Sequence, residues 1–332
     1  MISAPNPRTA PSGAPRTARR ARAQAGAAAC AAGLALALTA CSSTGSAQGT
    51  SGGTDAELQV LASFYPLQLV AERVGGEHVN VGSLTPPGAE PHDVELSPAQ
   101  VSEVGAADLV VYLSGFQAAV DDAVTEAAPS ATLDAADVVT LREGAEGGEE
   151  HADEAEDEAH GTLDPHFWLD PSLMPGLVQA VADELSTLDP GAADDFQANA
   201  DTLAQEFEDL DAQYASTLAT CTQRTFVTAH EAFGYLAARY DLQQVGISGL
   251  DPESEPSPAR LAEVSQVIED AGVTTVFFET LVSPKVAQTL AADLGIEAAV
   301  LDPIEGVTDD TSDYFSIAQA NLEALSVASS CS

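Results

Sequence analysis

Three histidines and one glutamate in this chain are of the residue types that build metal sites. His92 lies in a proline-rich turn, His166 follows an Asp-Pro pair, and His230 and Glu279 come directly after apolar, β-branched runs. The chain has only 6 histidines, so half of them occupy these settings. Three imidazoles and one carboxylate form the mostly nitrogen, four-coordinate ligand set that Zn(II) prefers. The pattern therefore predicts a zinc site made of His92, His166, His230 and Glu279.

Two of the three histidines also have a structural interpretation. His92 lies on a stiff turn after several prolines, where a histidine has no role in core packing. His166 could instead be a buried side chain satisfied by its neighbours. Asp164 and Asp170 could orient its ring as a metal ligand, and Asp170 could equally cap a following helix. For His230 the alternative is N-capping of the helix that follows its strand, by Thr228 or by His230 itself.

Two series of strands and helices must position these side chains. Continuous apolar strands separated by helices indicate parallel sheets that are covered on both faces. In the first half the strands are 58–64, 79–85, 109–114 and 131–139, with helices at 65–75, 98–107 and 116–128. In the second half the strands are 225–229, 243–248, 274–279 and 297–302, with helices at 231–240, 258–271, 284–294 and 312–327. Side chains at the carboxyl ends of such strands face the crevice where ligands bind.

Glu279 ends one of these strands, after Val276, Phe277 and Phe278. An unpaired carboxylate in such apolar surroundings would be costly. It therefore needs a cation or a hydrogen-bond donor, and Lys285 is the partner that competes with a metal ion.

A helical region, 172–220, lies between the two halves and is interrupted at 188–191. Asp189 as N-cap and Pro190 at the first helical position predict that a second helix begins there. A helix over 190–219 would be roughly 45 Å long at 1.5 Å per residue. It could run along both halves and hold them at a fixed spacing. We therefore expect two pseudo-symmetric α/β lobes, 57–171 and 221–332, joined by one long rigid helix.

The N-terminus has the composition of an export signal. Residues 1–40 combine five arginines, no acid and an apolar stretch too short and too rich in alanine to span a membrane well. The stretch ends in Leu-Thr-Ala-Cys41, which resembles the lipobox of bacterial lipoproteins. We expect cleavage before Cys41, lipid attachment to it, and a flexible Gly/Ser/Thr tether over 41–56. An ordinary secretory signal with a chance cysteine is the alternative.

The remaining composition limits the partners and the redox state. The formal net charge is −41, and loss of residues 1–40 removes five of the 11 basic residues and none of the 52 acidic ones. Such a surface repels nucleic acid and anionic lipid headgroups. After lipidation of Cys41 only Cys221 and Cys331 remain, and in an exported protein they are expected to form a disulfide.

The insert 143–161 is strongly acidic, has no apolar periodicity, and contains His151 and His160. It is typical of a disordered loop. At most it is a weak auxiliary metal-binding loop.

Five motifs, in order, resemble the metal-binding receptors of bacterial ABC transporters, the cluster A-I family of zinc and manganese substrate-binding lipoproteins. They are PPGAEPHDVELSP, LDPHFWLDP, AHEAFGYLAARY, GLDPESEPSP and VFFETLVSPKVA. The resemblance covers about residues 57–328. It implies two lobes joined by a rigid helix, with the metal between them. It also matches His92, His166 and His230 to the family's three histidines and Glu279 to the acidic position of the C-terminal lobe.

The resemblance implies zinc as the ion, because manganese receptors of the family typically have a carboxylate where this chain has His230. The expected protein is a monomeric extracytoplasmic zinc receptor, and not an enzyme, that is lipid-anchored outside the cytoplasmic membrane. It would deliver Zn(II) to an ABC permease. A manganese receptor is the first alternative and a zinc hydrolase the second. The chain has no HExxH helix, and four protein ligands leave no position for a nucleophilic water. An adhesin is a further possibility, which no repeat or aromatic patch supports.

Overall fold

The computed structural model describes residues 57–144, 163–308 and 311–332. Within these ranges, two four-stranded parallel sheets are flanked by helices, which confirms the predicted α/β class. The strands are β1 (Leu58–Ala62), β2 (Val79–Ser83), β3 (Leu109–Tyr112), β4 (Thr132–Asp134), β5 (Arg142–Glu143), β6 (Leu163–Asp164), β7 (Thr225–Thr228), β8 (Gln243–Gly246), β9 (Thr275–Phe278) and β10 (Glu297–Val300). The helices are α1 (Tyr65–Gly75), α2 (Pro98–Ala106), α3 (Ala118–Ala127), α4 (Ala135–Val138), α5 (Met174–Leu188), α6 (Ala193–Leu218), α7 (Gly234–Arg239), α8 (Pro258–Ala271), α9 (Lys285–Leu294) and α10 (Tyr314–Ala328).

The two sheets have the same strand order. The first runs β2-β1-β3-β4 and the second β8-β7-β9-β10, so each half places its first strand between its second and its third. In such a parallel sheet the connections diverge between the first and third strands, and a crevice opens there at the carboxyl edge. The pairs β1/β3 and β7/β9 are therefore where each half can present ligands. The short strands β5 and β6 form a separate antiparallel pair.

The long helix α6 packs against both halves of the chain. Its buried side chains recur at helical spacing along one face, from Phe196 to Leu218. Near its start, the side chain of Asn199 donates to the carbonyl of Val74 in α1 (3.0 Å). Further along, the hydroxyl of Tyr214 donates to the carbonyl of Ala318 in α10 (2.5 Å). With 26 residues, α6 is about 39 Å long at 1.5 Å per residue.

The predicted start of this helix is wrong by a few residues. The helix α6 begins at Ala193 and not at Pro190, and Asp189 is the C-cap of α5. The carboxylate of Asp189 accepts a hydrogen bond from the backbone N–H of Gly191 (2.9 Å). Because the Asp189 carboxylate accepts a hydrogen bond within this short turn, that carboxylate does not cap the following helix.

The structure joins Cys221 to Cys331 by a disulfide, as predicted. Cys221 precedes β7 and Cys331 follows α10, so the bond connects the two ends of the C-terminal half. The backbone N–H of Gln223 also donates to the carbonyl of Ser329 nearby (3.0 Å).

Several predictions fall on residues that the structure does not describe. They are the signal peptide 1–40, lipidation of Cys41, the tether 41–56, and all but the first two residues of the acidic loop 143–161, with His151 and His160. These stay predictions, as do the domain boundaries. In the described ranges, no helix combines the length and the apolar character that crossing a membrane requires.

Candidate metal site

The pairing of β7 with β9 brings His230 and Glu279 together. Thr228 lies opposite Phe277 in this register, and His230 and Glu279 each follow their strand residue by two positions. Both side chains therefore leave adjacent strands at the same carboxyl edge. Nδ1 of His230 lies 2.6 Å from Oε1 of Glu279. This is the crevice that the strand order of the second sheet creates.

Glu305 reaches the same crevice from the next strand of that sheet. It lies in the segment after β10, which pairs with β9, and all residues from Leu301 to Glu305 are buried. The buried segment carries the carboxylate of Glu305 across the carboxyl edge towards His230.

The first half supplies His92 and His166 from loops. His92 lies between β2 and α2, and the side chain of Gln117, just before α3, donates to the carbonyl of the preceding Pro91 (3.1 Å). The backbone N–H of Gly88 donates to the carbonyl of Val307 (3.0 Å), which connects the His92 loop to the Glu305 segment. Contacts on both sides of the crevice thus hold this proline-rich turn in place.

Among the described residues, one group of side chains could hold a metal ion: His92, His166, His230 and Glu305. One donor atom from each lies within 4.8 Å of every other. Nε2 of His166 lies 3.4 Å from Nε2 of His92 and 3.4 Å from Nε2 of His230. Oε1 of Glu305 lies 3.1 Å from Nε2 of His166, 3.5 Å from that of His92 and 3.6 Å from that of His230.

The structure thus brings together the three predicted histidines but places Glu305, and not Glu279, in the donor group. The expectation that Glu279 is the fourth ligand is corrected by this placement. Its carboxylate lies behind His230, on Nδ1, whereas the donor group uses Nε2. The alternative partner Lys285 is exposed at the start of α9 and does not pair with Glu279.

Carboxylates orient two of the three imidazoles. Oδ1 of Asp164 lies 2.8 Å from Nδ1 of His166, and Oε1 of Glu279 lies 2.6 Å from Nδ1 of His230. Because a carboxylate only accepts hydrogen bonds, each pair fixes the proton on Nδ1 and leaves Nε2 facing the centre, an arrangement common at metal-binding histidines. Asp170 instead caps the turn after it and accepts from the backbone N–H of Ser172 (3.0 Å).

The donor group is enclosed except at His92. The side chains of His166 and His230 are 0% exposed and that of Glu305 1%, whereas His92 is 13% exposed. Phe116 lies edge-on to His92, with ring centroids 4.7 Å apart, and Trp168 lies 5.2 Å from His166. Water therefore has little access to the three buried donors.

Oε1 of Glu305 is buried and accepts no hydrogen bond within the described part of the chain. Such an atom is costly unless a cation or a donor compensates it. Burial alone would raise the pKa of the Glu305 carboxyl, but the imidazoles of His166, His230 and His92 hold that pKa well below its usual range. The orphaned oxygen faces the three Nε2 atoms, so a cation at their centre would satisfy it.

The same contacts raise the pKa values of two of the imidazoles. Burial lowers the pKa of His230, but Glu279 and then Glu305 outweigh it and raise that pKa to about 10. For His166, burial again lowers the pKa, and Asp164 and Glu305 raise it above its ordinary value. Without a metal, the ring of His230 is therefore an imidazolium at neutral pH, and the contacts of His166 favour its protonated form.

Sequence reasoning missed Glu305 because it does not stand directly at the end of a strand. It comes after Leu301, Asp302, Pro303 and Ile304 and is followed by Gly306. The available signal was a single glutamate between apolar residues and a glycine. Glu279 had the more conspicuous position, immediately after three apolar strand residues.

A model of the family described as the periplasmic component A of the zinc-uptake complex, ZnuA, matches residues 60–328. A similar curated protein is the zinc-binding protein AdcA of Streptococcus pyogenes, 34% identical over 290 residues. The match covers 82% of this chain and 56% of AdcA, so the chain spans little more than half of that relative. The zinc uptake system protein ZnuA of Bacillus subtilis is 32% identical over 279 residues, covering 81% of this chain and 86% of that protein.

Two solved structures are also similar to this chain. The Zn(II)-bound ZnuA-like domain of Streptococcus pneumoniae AdcA superposes with a TM-score of 0.69 at 32% identity, covering 82% of this chain and 99% of that domain. The laminin-binding protein Lmb of Streptococcus agalactiae, described as an adhesin with metal-transporting activity, gives a TM-score of 0.72 at 32% identity. That match covers 82% of this chain and 99% of Lmb.

Proposed function

The chain belongs to the ZnuA family, the periplasmic component A of zinc-uptake complexes, and from this premise we propose that it is an extracytoplasmic receptor that binds Zn(II) and delivers it for import. His92 and His166 from the first half and His230 and Glu305 from the second are the proposed ligands. The ion would be bound between the two halves. The receptor would then deliver the ion to the permease of an ABC transporter.

The spacing of the donor atoms carries this proposal. In a tetrahedral site with bonds of about 2.0–2.1 Å, neighbouring ligand atoms are about 3.3 Å apart. The five separations between Glu305 and the three Nε2 atoms and among the imidazoles range from 3.1 to 3.6 Å. Three nitrogens and one oxygen at these distances fit a four-coordinate zinc ion.

The charges of the site support a simple exchange of protons for metal. The carboxylates of Asp164, Glu279 and Glu305 contact the imidazoles of His166 and His230. Without metal, the pKa of about 10 keeps the imidazole of His230 protonated at neutral pH, and the pKa of His166 is raised above its ordinary value. An arriving Zn(II) would displace the proton from Nε2 of His230, so part of the charge of the ion would replace the charge of that imidazolium. The buried carboxylates therefore keep their compensation in both states.

The site argues against the alternatives that the sequence leaves open. Manganese prefers oxygen-rich, octahedral surroundings, whereas this donor group has three nitrogens and one oxygen. A hydrolytic zinc keeps an open position for water beside three protein ligands. In the proposed site a fourth protein donor, Glu305, would occupy that position. The name of Lmb suggests adhesion for that protein; in this chain the metal site supports transport.

We place the receptor outside the cytoplasmic membrane, attached through lipid on Cys41. The support is the lipobox-like sequence that ends in Cys41, together with a relative named as a zinc-binding lipoprotein, AdcA of Streptococcus pneumoniae. Cys41→Ala should abolish lipid attachment, so that the protein is released or stays unprocessed. Mass spectrometry of the wild-type protein should find a lipidated cysteine at its first position. An unmodified mature terminus elsewhere contradicts the anchor.

Metal content tests the proposal most directly. Protein purified without added metal should contain about one zinc per chain by elemental analysis. Titration of stripped protein should show preference for zinc over manganese, and a hydrolase screen should be negative. Manganese as the resident metal, or no metal bound in titration, contradicts the proposed function.

A further inference from the structure

We propose that Asn321, a residue of α10 outside the donor group, positions Glu305 for metal binding by acting through Asp302. This inference rests on the proposed zinc site and assigns to it a positioning residue. Asn321 is buried and lies far along the chain from all three histidines.

The amide of Asn321 holds both backbone groups of Asp302. Its Oδ1 accepts from the N–H of Asp302 (2.9 Å), and its Nδ2 donates to the carbonyl of Asp302 (2.6 Å). One side chain therefore replaces the two ladder hydrogen bonds that a neighbouring strand would give at this position. The chain after β10 is fixed at Asp302, three residues before Glu305.

The carboxylate of Asp302 continues the connection in two directions. Its Oδ1 accepts from the backbone N–H of Ile304 (2.8 Å), and its Oδ2 accepts from the hydroxyl of Thr280 (2.6 Å). Thr280 directly follows Glu279, which orients His230. Asp302 therefore joins the segment that carries Glu305 to the segment that supports one of the histidines.

Ile304 shows why this support is needed. Its φ is +57°, in the left-handed region that a β-branched residue rarely adopts. Such a conformation persists only where surrounding contacts hold it. The hydrogen bond from Ile304 N–H to Asp302 supplies one contact, and the bond from Trp168 Nε1 to the carbonyl of Pro303 (2.8 Å) supplies another. The turn at Ile304 directs Glu305 into the crevice.

Loss of the Asn321 amide would allow this turn to relax. Ile304 could then return to an ordinary backbone conformation, and Oε1 of Glu305 would move away from the three Nε2 atoms. His166 and His230 would keep their own hydrogen bonds to Asp164 and Glu279, and the Glu279 segment would lose only the support that Asp302 gives it through Thr280. The expected result is a weaker site whose fourth donor is misplaced.

The experiment compares three variants in zinc titration and in the visible spectrum of the Co(II)-loaded protein, which reports four-coordinate geometry. Asn321→Leu should weaken zinc binding by about 10- to 100-fold, the usual effect of losing an outer-shell partner, and should lower the intensity of the Co(II) bands. Thr280→Val removes one hydroxyl at an exposed residue and should lower the zinc affinity and the intensity of the Co(II) bands, each by less than Asn321→Leu does. Leu325→Ala, in the core on the same helix, is the control: it should lower the melting temperature and leave zinc affinity and the Co(II) spectrum unchanged.

Wild-type affinity and spectrum in folded Asn321→Leu protein would overturn the inference. If that variant does not fold, Thr280→Val with a wild-type affinity and spectrum overturns it. An equal loss of zinc binding in Leu325→Ala would also overturn it, because general destabilisation would then explain the result. Failure of the wild-type protein to bind zinc would instead overturn the proposed function itself.

Discussion

At the scale of single residues, the proposed ligands differ from the carboxylates that lie behind them. His166 presents Nε2 to the centre, whereas Glu279 contacts only Nδ1 of His230. Glu279→Gln should therefore weaken zinc binding by about 10- to 100-fold. His166→Ala removes a donor atom outright and should weaken it further. Zinc titration of four single variants measures this order of affinities: Glu279→Gln, His166→Ala, His92→Ala and His230→Ala. Two or more histidine variants that bind zinc like the wild type would refute the assignment.

The pKa shifts of the histidines predict how zinc binding depends on pH. The pKa of His230 is raised to about 10 and that of His166 above its ordinary value, so protons compete with zinc well above pH 6.5. Affinity should rise with pH from 6 to 9 as fewer protons must be displaced, and binding near pH 7 should release the proton of the His230 imidazolium. In the metal-free protein, the stabilisation from protonated His230 is complete below about pH 6.5 and is lost as pH rises towards 10. Calorimetric titration in buffers of different ionisation enthalpy counts the protons. An affinity that does not change with pH would contradict this account.

The residue scale also shows what the sequence could and could not predict. The three histidines were predictable because the chain has few of them and each follows a strand or a stiff turn. Glu305 was not, because it is one of 52 acidic residues and its role depends on the path of the chain after β10. That path is set by Ile304 with φ +57° and by Asn321, which is distant in sequence. Local patterns carry no information on such contacts.

At the scale of elements, most helices and strands were predictable because apolar periodicity and local stop signals agree. Helix α1 and helix α8 have the predicted bounds. The beginning of α6 was not predictable from Asp189 and Pro190, because Asp189 can cap a helix or close a turn, and tertiary packing decides between them. The common strand order of the two sheets likewise needs pairing information that one sequence does not contain.

The disulfide is the element whose contribution to stability is easiest to measure. It closes a loop with a sequence separation of 110 residues. In the chain-entropy model, a loop of this length contributes about 4–5 kcal/mol, from which native strain subtracts. The double variant Cys221→Ala/Cys331→Ala should therefore unfold at lower denaturant concentration and keep its zinc affinity, since neither cysteine contacts the donor group. Two free thiols in unfolded, unreduced wild-type protein would show that the bond does not form.

At the scale of the whole molecule, the proposed ion connects two halves that also share the helix α6. Zinc binds only the folded state, so it should raise the melting temperature more at higher free zinc. The gain is about 4 kcal/mol when free zinc exceeds the dissociation constant a thousandfold. Thermal denaturation at several buffered zinc concentrations measures this. The variant His230→Ala is the control and should show a much smaller shift. Equal shifts in both proteins would place the stabilising ion elsewhere.

The buried donor group also bears on how the proposed transporter would distinguish a loaded receptor from an empty one. If Zn(II) enters as the imidazolium proton leaves His230, part of the charge of the ion is offset, and the electric field outside the protein changes less than the ion alone would change it. Salt screens what remains beyond about 8 Å at physiological ionic strength. Long-range electrostatics would then distinguish the two forms only weakly. Discrimination would have to come from the shape of the surface near His92, the one partly exposed donor, and empty receptors would compete with loaded ones for the transporter.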